Sequence, residues 1–124
     1  MKKYLILILF CCFITTIFAQ ERKYYCEVIC VGKVSGGENV YFDFGGITLT
    51  GVIKYKNGTK LVDDKGNEIK FNSHAEVLNW MAERGWNFEA VRYDSSGLTT
   101  TIYTFSKITS KEKIKDGIIL KKEQ

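Results

Sequence analysis

Apolar and polar residues alternate along much of the chain after residue 20. This period-two pattern is typical of strands with one buried face, and it begins in a segment whose apolar face is formed by Tyr24, Cys26, Val28 and Cys30. The dipeptide Asn57-Gly58 predicts a type I′ hairpin turn, because both turn residues need positive φ. Alternation, β-branched residues and glycine-containing turns together predict further short strands over residues 40–44, 47–56, 60–62, 68–71, 88–94 and 98–107.

One amphipathic helix is predicted over about residues 73–85. Ser73, followed three residues later by Glu76, forms a capping box that satisfies free backbone N–H groups at a helix start. Gly85 stands where a left-handed residue would end the helix. At 100° per residue, one side of this helix carries His74, Val77, Leu78, Met81 and Ala82.

These elements predict an α+β domain with a mainly antiparallel, twisted sheet of five to seven short strands and the helix packed on one face. The chain contains no proline and no linker-like stretch, so residues 20–124 are predicted to form a single domain with a short charged C-terminal tail. The predicted core consists of Cys26, Val28, Cys30, Phe42, Phe44, Leu78, Met81, Trp86 and Phe88.

The first 19 residues have the pattern of a secretory signal peptide. Lys2 and Lys3 precede an apolar stretch from Leu5 to Phe18, and Ala19 supplies the small residue at the cleavage site. The apolar stretch is shorter than the roughly 20 residues that a membrane-spanning helix needs. Cleavage between Ala19 and Gln20, export to the periplasm or the cell exterior, and no stable membrane anchor are therefore expected.

Removal of the signal changes the charge. Without Lys2 and Lys3, 16 basic residues face 14 acidic ones in a mature chain of 105 residues, a net charge of +2. Attraction to nucleic acid needs clustered positive charge, which is not seen outside the C-terminal tail. We therefore expect no nucleic-acid partner.

Only Cys26 and Cys30 remain in the mature chain. Along an extended strand they would lie roughly 13 Å apart, beyond the reach of about 7 Å that a disulfide allows. Two cysteines at this spacing with one distant histidine, His74, are also a poor zinc pattern, so no disulfide, metal or other cofactor is predicted. A catalytic pair of His74 with either thiol is an alternative, but a partly buried histidine over two inert thiols is favoured, and no catalytic residue is assigned.

Trp80 lies on the flank of the apolar helix side, with Arg84 four residues on. Tryptophan at a rim is enriched at recognition surfaces, and an arginine at this spacing can stack on it. Trp80 and Arg84 are thus the candidate binding residues. The alternative is that Trp80 packs over the sheet edge as part of the core.

The segment from Phe71 to Phe105 resembles a family of small bacterial domains of unassigned function. That family has an amphipathic helix, a Gly-Trp-Glu turn and two closing antiparallel strands, which correspond here to the helix, Gly85-Trp86 and the predicted hairpin. The segments 25–28 and 69–73 further resemble an exported Gram-negative branch of it. Asn87 replaces the usual Glu after Trp, and the resemblance implies the fold but no catalytic residue.

Three function classes remain. The favoured one is a non-catalytic binding or interaction module of the cell envelope, whose partner is an unknown protein or small ligand, because no catalytic motif is found and many aromatic residues remain to be covered. A self-associating structural or assembly protein, for instance a homodimer, is the first alternative. A small Cys/His enzyme is the second.

Overall fold

The computed structural model describes residues 20–45, 59–94 and 99–122. In these ranges the elements are β1 (Arg22–Gly32), β2 (Glu38–Asp43), α1 (His74–Glu83), β3 (Asn87–Asp94) and β4 (Thr100–Thr109), followed by a short 3₁₀-helix, Lys111–Lys113. The predicted α+β class and the single principal helix are confirmed. The predicted signal peptide, the strand over 47–56 and the Asn57-Gly58 turn lie outside the described residues. In the described ranges no helix is long and apolar enough to cross a membrane.

The sheet is antiparallel throughout and has the strand order β2-β1-β4-β3. β1 is a central strand, with Val28 opposite Phe42 of β2 on one side and Tyr103 of β4 on the other. Residues directly opposite in antiparallel strands point to the same face, so these three side chains lie together. β2 begins two residues earlier than predicted, and β4 runs two residues further.

The described residues form four strands, fewer than the five to seven predicted. The predicted strands over 60–62 and 68–71 are isolated bridges instead, Val62 with Glu68 and Leu61 with Leu120. Between them the Asp63 carboxylate accepts hydrogen bonds from the backbone N–H groups of Asn67 (2.8 Å) and Lys65 (2.9 Å), which also lower the pKa of that carboxyl. Beside the turn, the Val62 N–H donates to the Ile119 carbonyl (2.9 Å) and the Ile69 N–H donates to the Leu61 carbonyl (3.1 Å), so the pairing there stays at single bridges.

The N-terminus of α1 is capped by two side chains, those of Ser73 and Glu76. The Ser73 hydroxyl accepts a hydrogen bond from the Glu76 N–H (3.2 Å), as the capping box predicts. The Glu76 carboxylate reaches one residue further back than expected and accepts from the backbone N–H of Asn72 (2.7 Å). The entry into the helix is therefore held at two successive residues.

The C-terminus of α1 ends in a Schellman motif. Gly85 has φ of +80°, its N–H donates to the Ala82 carbonyl (3.0 Å), and the Trp86 N–H donates to the Met81 carbonyl (3.1 Å). Lys107 of β4 donates from Nζ to the Arg84 carbonyl at 2.9 Å and places a positive charge at the negative end of the helix dipole. The turn thus aims Trp86 back under the helix, where it is 2% exposed.

The core lies between α1 and one face of the sheet. Six of the nine predicted core residues are fully buried there, and Phe44 and Leu78 are partly buried against it. Phe88 was wrongly predicted, because it lies on edge strand β3, where its side chain is 53% exposed. Core members that the prediction left out are Leu61, Val77, Tyr103, Phe105 and Ile118.

The Gly85 turn generates a stability prediction. Gly85→Ala is expected to lower the free energy of unfolding by about 1 kcal/mol or more, because a Cβ at positive φ is strained. Trp86→Ala is expected to cost about 3–5 kcal/mol, as for other fully buried aromatic residues. Denaturant titration measures both. Gly32→Ala is the matched control, because a Cβ there would meet its nearest neighbour at an ordinary 3.4 Å and the φ angle of Gly32 is not positive. Equal free energies of unfolding for the Gly85 and Gly32 variants would contradict the argument that the turn is strained.

Candidate functional site

A cleft of about 270 Å³ opens between the N-terminus of α1 and the start of β2. Val40, Phe71 and Val77 supply apolar wall, and Glu38 and His74 supply ionisable groups. Pockets that bind small ligands usually combine apolar lining with a few convergent polar groups. This cleft is therefore the candidate site.

His74 bridges two elements of the sheet from the first residue of α1. Its Nε2 lies 2.5 Å from Oε2 of Glu38 and its Nδ1 lies 2.6 Å from the Tyr103 hydroxyl. Because a carboxylate only accepts hydrogen bonds, Nε2–H donates to Glu38. Nδ1 accepts from the Tyr103 O–H in the neutral ring and donates to the Tyr103 oxygen in the protonated ring. Both ring nitrogens are thus engaged, while the side chains of His74 and Glu38 stay 36% and 37% exposed.

The backbone explains why these side chains meet. Cys30 of β1 lies opposite Val40 of β2, and Glu38 stands two residues before Val40 on the same face. Tyr103 of β4 lies on that face too, opposite Val28. The Ser73 cap sets the start of α1 above them, so that His74 points between β2 and β4.

Cys30 joins this group from below the histidine. One ligand atom each of Cys30, Glu38 and His74 lies within 4.8 Å of the other two. Burial, and secondly the Glu38 charge, raise the pKa of the Cys30 thiol to about 12, so the side chain keeps its proton at neutral pH. A thiol is a weak nucleophile compared with a thiolate.

Cys26 stands apart from the cluster. It is buried further along the same face of β1, and its S–H contacts the Glu27 carbonyl at 3.7 Å. Burial, followed by the Asp43 and Glu27 charges, raises the pKa of its thiol. Both cysteines are free thiols, and of the two cysteine–histidine pairs considered from sequence, the structure brings together Cys30 and His74.

Trp80 and Arg84, the binding candidates from sequence, lie on the flank of α1 beside the core. Trp80 is partly buried and packs edge-on against Phe42 (5.7 Å between centroids) and Phe71 (6.1 Å). The Arg84 guanidinium lies 3.5 Å from the indole centroid and donates to the carbonyls of Trp80 and Gly117, both at 3.0 Å. The pair joins the helix to the C-terminal tail, and its part in recognition stays a prediction.

Glu38 and Tyr103 are the site residues that sequence reasoning missed. Glu38 follows the Gly36-Gly37 turn, where a polar residue at the start of a strand is common and gives no sign of a site. Tyr103 is an aromatic residue in a strand rich in β-branched residues, where it is equally common and gives no sign either. Only the alternation pattern could have placed each on a face, and the strand register was needed to place them side by side.

No family model, curated protein or solved structure matches the chain. The resemblance to small bacterial domains around Gly85-Trp86 therefore stays a prediction.

The packing of Trp80 generates a prediction. Trp80→Ala is expected to lower the free energy of unfolding by about 2–3 kcal/mol, less than Trp86→Ala, because the ring is only partly buried yet contacts Phe42, Phe71 and Arg84. Urea titration measures the loss, and Trp80→Phe, which keeps an aromatic edge, is the milder control. A Trp80→Ala variant as stable as the unsubstituted protein would show that these contacts contribute little and would leave the ring available for recognition.

Proposed function

We propose that the protein is an exported, non-catalytic binding module of the cell envelope that holds a small ligand in the cleft between β2 and α1. The observation that carries the proposal is the convergence of Glu38 and His74 on one cleft with an apolar wall, with buried Tyr103 hydrogen-bonded to His74 behind it. A volume of about 270 Å³ is below the 300–1,000 Å³ typical of drug-sized ligands, which favours a very small ligand.

The expected location rests on the pattern of Met1 to Ala19, with a mature chain that begins at Gln20. The near-balanced charge of residues 20–124 supports a partner other than nucleic acid. We also propose that the chain is related to the exported branch of small bacterial domains. A fifth strand over residues 47–56 is a further part of the proposal. Each rests on the sequence patterns alone.

Binding is favoured over Cys/His catalysis because the Cys30 thiol is protonated and the His74 ring is already hydrogen-bonded. A nucleophilic pair needs a thiolate or a base free to take the thiol proton. Here the Cys30 thiol holds its proton, and both nitrogens of His74 are occupied by Glu38 and Tyr103. The arrangement supplies hydrogen-bonding groups for a ligand better than it supplies a nucleophile.

The ligand class follows from the charge of the cleft. Glu38 contributes the one carboxylate that lines the cleft in the described part of the chain. Arg and Lys are not among the side chains that line the cleft in the described part of the chain. A small ligand with positive charge or with hydrogen-bond donors therefore complements it best.

The proposal is tested by nuclear magnetic resonance on ¹⁵N-labelled protein, with the low-molecular-mass fraction of an envelope extract as the probe. Amide shifts are expected at Gly37, Glu38 and residues 72–77, and they should fall sharply in Glu38→Gln. Glu112→Gln, a neutralised exposed carboxylate on the 3₁₀-helix, is the matched control and should behave as the unsubstituted protein. Absence of shifts at the cleft, or equal shifts in the Glu38 variant, would overturn the proposal.

Self-association is a second candidate, favoured by the surface of β3. β3 is an edge strand with every residue exposed, and Phe88, Val91 and Tyr93 form a row on the helix-side face that is 53%, 40% and 75% exposed. Exposed apolar edge strands are templates for pairing, and two antiparallel copies of one strand satisfy two-fold symmetry.

The β3 row generates its own prediction. If copies pair through it, sedimentation velocity should show a dimer that Val91→Lys converts to monomer, because a charge in the paired row is repelled and desolvated. Val34→Lys, in the 94% exposed turn after β1, is the matched control and should remain dimeric. A monomeric unsubstituted protein at high concentration would exclude this candidate.

A further inference from the structure

Cys30, Glu38 and His74 bring three kinds of metal-binding atom together at the edge of the cleft, which Glu38 and His74 line. The thiol sulfur, a carboxylate oxygen and an imidazole nitrogen lie within 4.8 Å of one another, and each comes from a different element: β1, β2 and α1. A mixed sulfur, nitrogen and oxygen donor set suits Zn²⁺, whereas Ca²⁺ and Mg²⁺ prefer oxygen alone.

We propose that Cys30, Glu38 and His74 bind a Zn²⁺ ion in the cleft. The inference rests on the proposed function and deepens it, because it names the small positively charged ligand. Three protein ligands leave a fourth tetrahedral position open, and the cleft gives a water molecule or a donor atom of a second ligand access to it.

The distances are close to those of a tetrahedral site. Zinc bonds of about 2.0–2.3 Å place donor atoms about 3.3–3.6 Å apart. In the metal-free protein the Glu38 oxygen and His74 Nε2 are closer, at 2.5 Å, and no pair within the group is further apart than 4.8 Å. The two half-exposed side chains, Glu38 and His74, can move by the roughly 1 Å required, while Cys30 is fixed in the central strand.

Tyr103 supplies the outer contact that metal-binding histidines usually have. With Nε2 on the metal, the imidazole proton resides on Nδ1 and is donated to the Tyr103 hydroxyl oxygen, which lies 2.6 Å away. Zinc replaces the proton on Nε2, which is released to solvent, and the bound ring is neutral with its proton on Nδ1. The thiol proton of Cys30 is released to solvent when the sulfur–zinc bond forms.

The charges balance in the bound state. In the metal-free protein the Glu38 carboxylate disfavours a negative charge on Cys30, because the two groups are close and Cys30 is buried. A divalent cation between them reverses that relation, since thiolate and carboxylate together neutralise its charge. Cys30 and Glu38, which repel each other as anions, both attract the Zn²⁺ ion once it is bound between them.

The test is titration of the purified protein with Co²⁺, followed by displacement with Zn²⁺. A thiolate-to-cobalt charge-transfer band is expected and should be lost in Cys30→Ser. Cys26→Ser is the matched control, because Cys26 is equally buried on the same face of β1 but lies outside the cluster. No band in the unsubstituted protein, or a band retained in Cys30→Ser, would overturn the site.

Two half-exposed ligands keep the test decisive if Cys30→Ser fails to fold. Glu38→Gln and His74→Gln should each weaken Zn²⁺ binding more than about tenfold, because about tenfold is the smallest loss typical of residues that contact only a ligand side chain. Tyr103→Phe should weaken Zn²⁺ binding by about tenfold while the charge-transfer band persists. Glu83→Gln, on the exposed side of α1, should bind Zn²⁺ as the unsubstituted protein does. Equal affinities across the Glu38, His74 and Glu83 variants would overturn the proposal.

The extract experiment separates this inference from the proposed function. If amide shifts at the cleft disappear when the low-mass fraction is first depleted of metal ions and return on addition of Zn²⁺, both stand. If the shifts persist after depletion and Zn²⁺ does not bind, the zinc site is wrong and the cleft binds another ligand. If neither the extract fraction nor Zn²⁺ shifts the amide signals of the cleft residues, both the zinc site and the proposed function are wrong.

Discussion

The packing of α1 on the central strand β1 is the interaction on which the rest of the structure depends. Val28 is fully buried, with Phe42 and Tyr103 beside it in the sheet and Val77 and Met81 in the same core. A register slip of one residue would turn the helix-side face of β1 to the opposite side of the sheet, away from α1. The hydrophobic gain from this face therefore selects both the strand register and the helix position.

The helix can carry a precise site because both of its ends are tied down. Ser73 and Glu76 hold its start, and the Gly85 turn with Lys107 holds its end against β4. Side chains on rigid elements keep their geometry better than those on loops. His74 benefits most, since as the first helical residue it projects towards β2 and β4 at once.

The site also illustrates what burial does to a polar cluster. Cys30 is buried beside a carboxylate, which keeps its thiol protonated and chemically quiet, while Glu38 and His74 remain half exposed. Under the zinc proposal, the open side of the cluster admits the cation and the buried strand holds the sulfur in place. The apolar wall beside it limits water around the polar groups, which strengthens their interactions.

The sequence by itself determined the local features of this protein: the α+β class, β1, the helix and its two ends, and most of the helix-side core. These depend on period, capping residues and one glycine, all within a few residues of each other. Strand order and register were decided only in the tertiary structure, and they placed Phe88 on an exposed edge and left residues 60–62 and 68–71 as bridges. They also joined His74 to Tyr103 and Glu38 across 29 and 36 residues, a contact that no local pattern encodes. The physical reason is that a strand's alternation fixes which face a side chain takes, whereas its neighbours depend on pairing between distant segments.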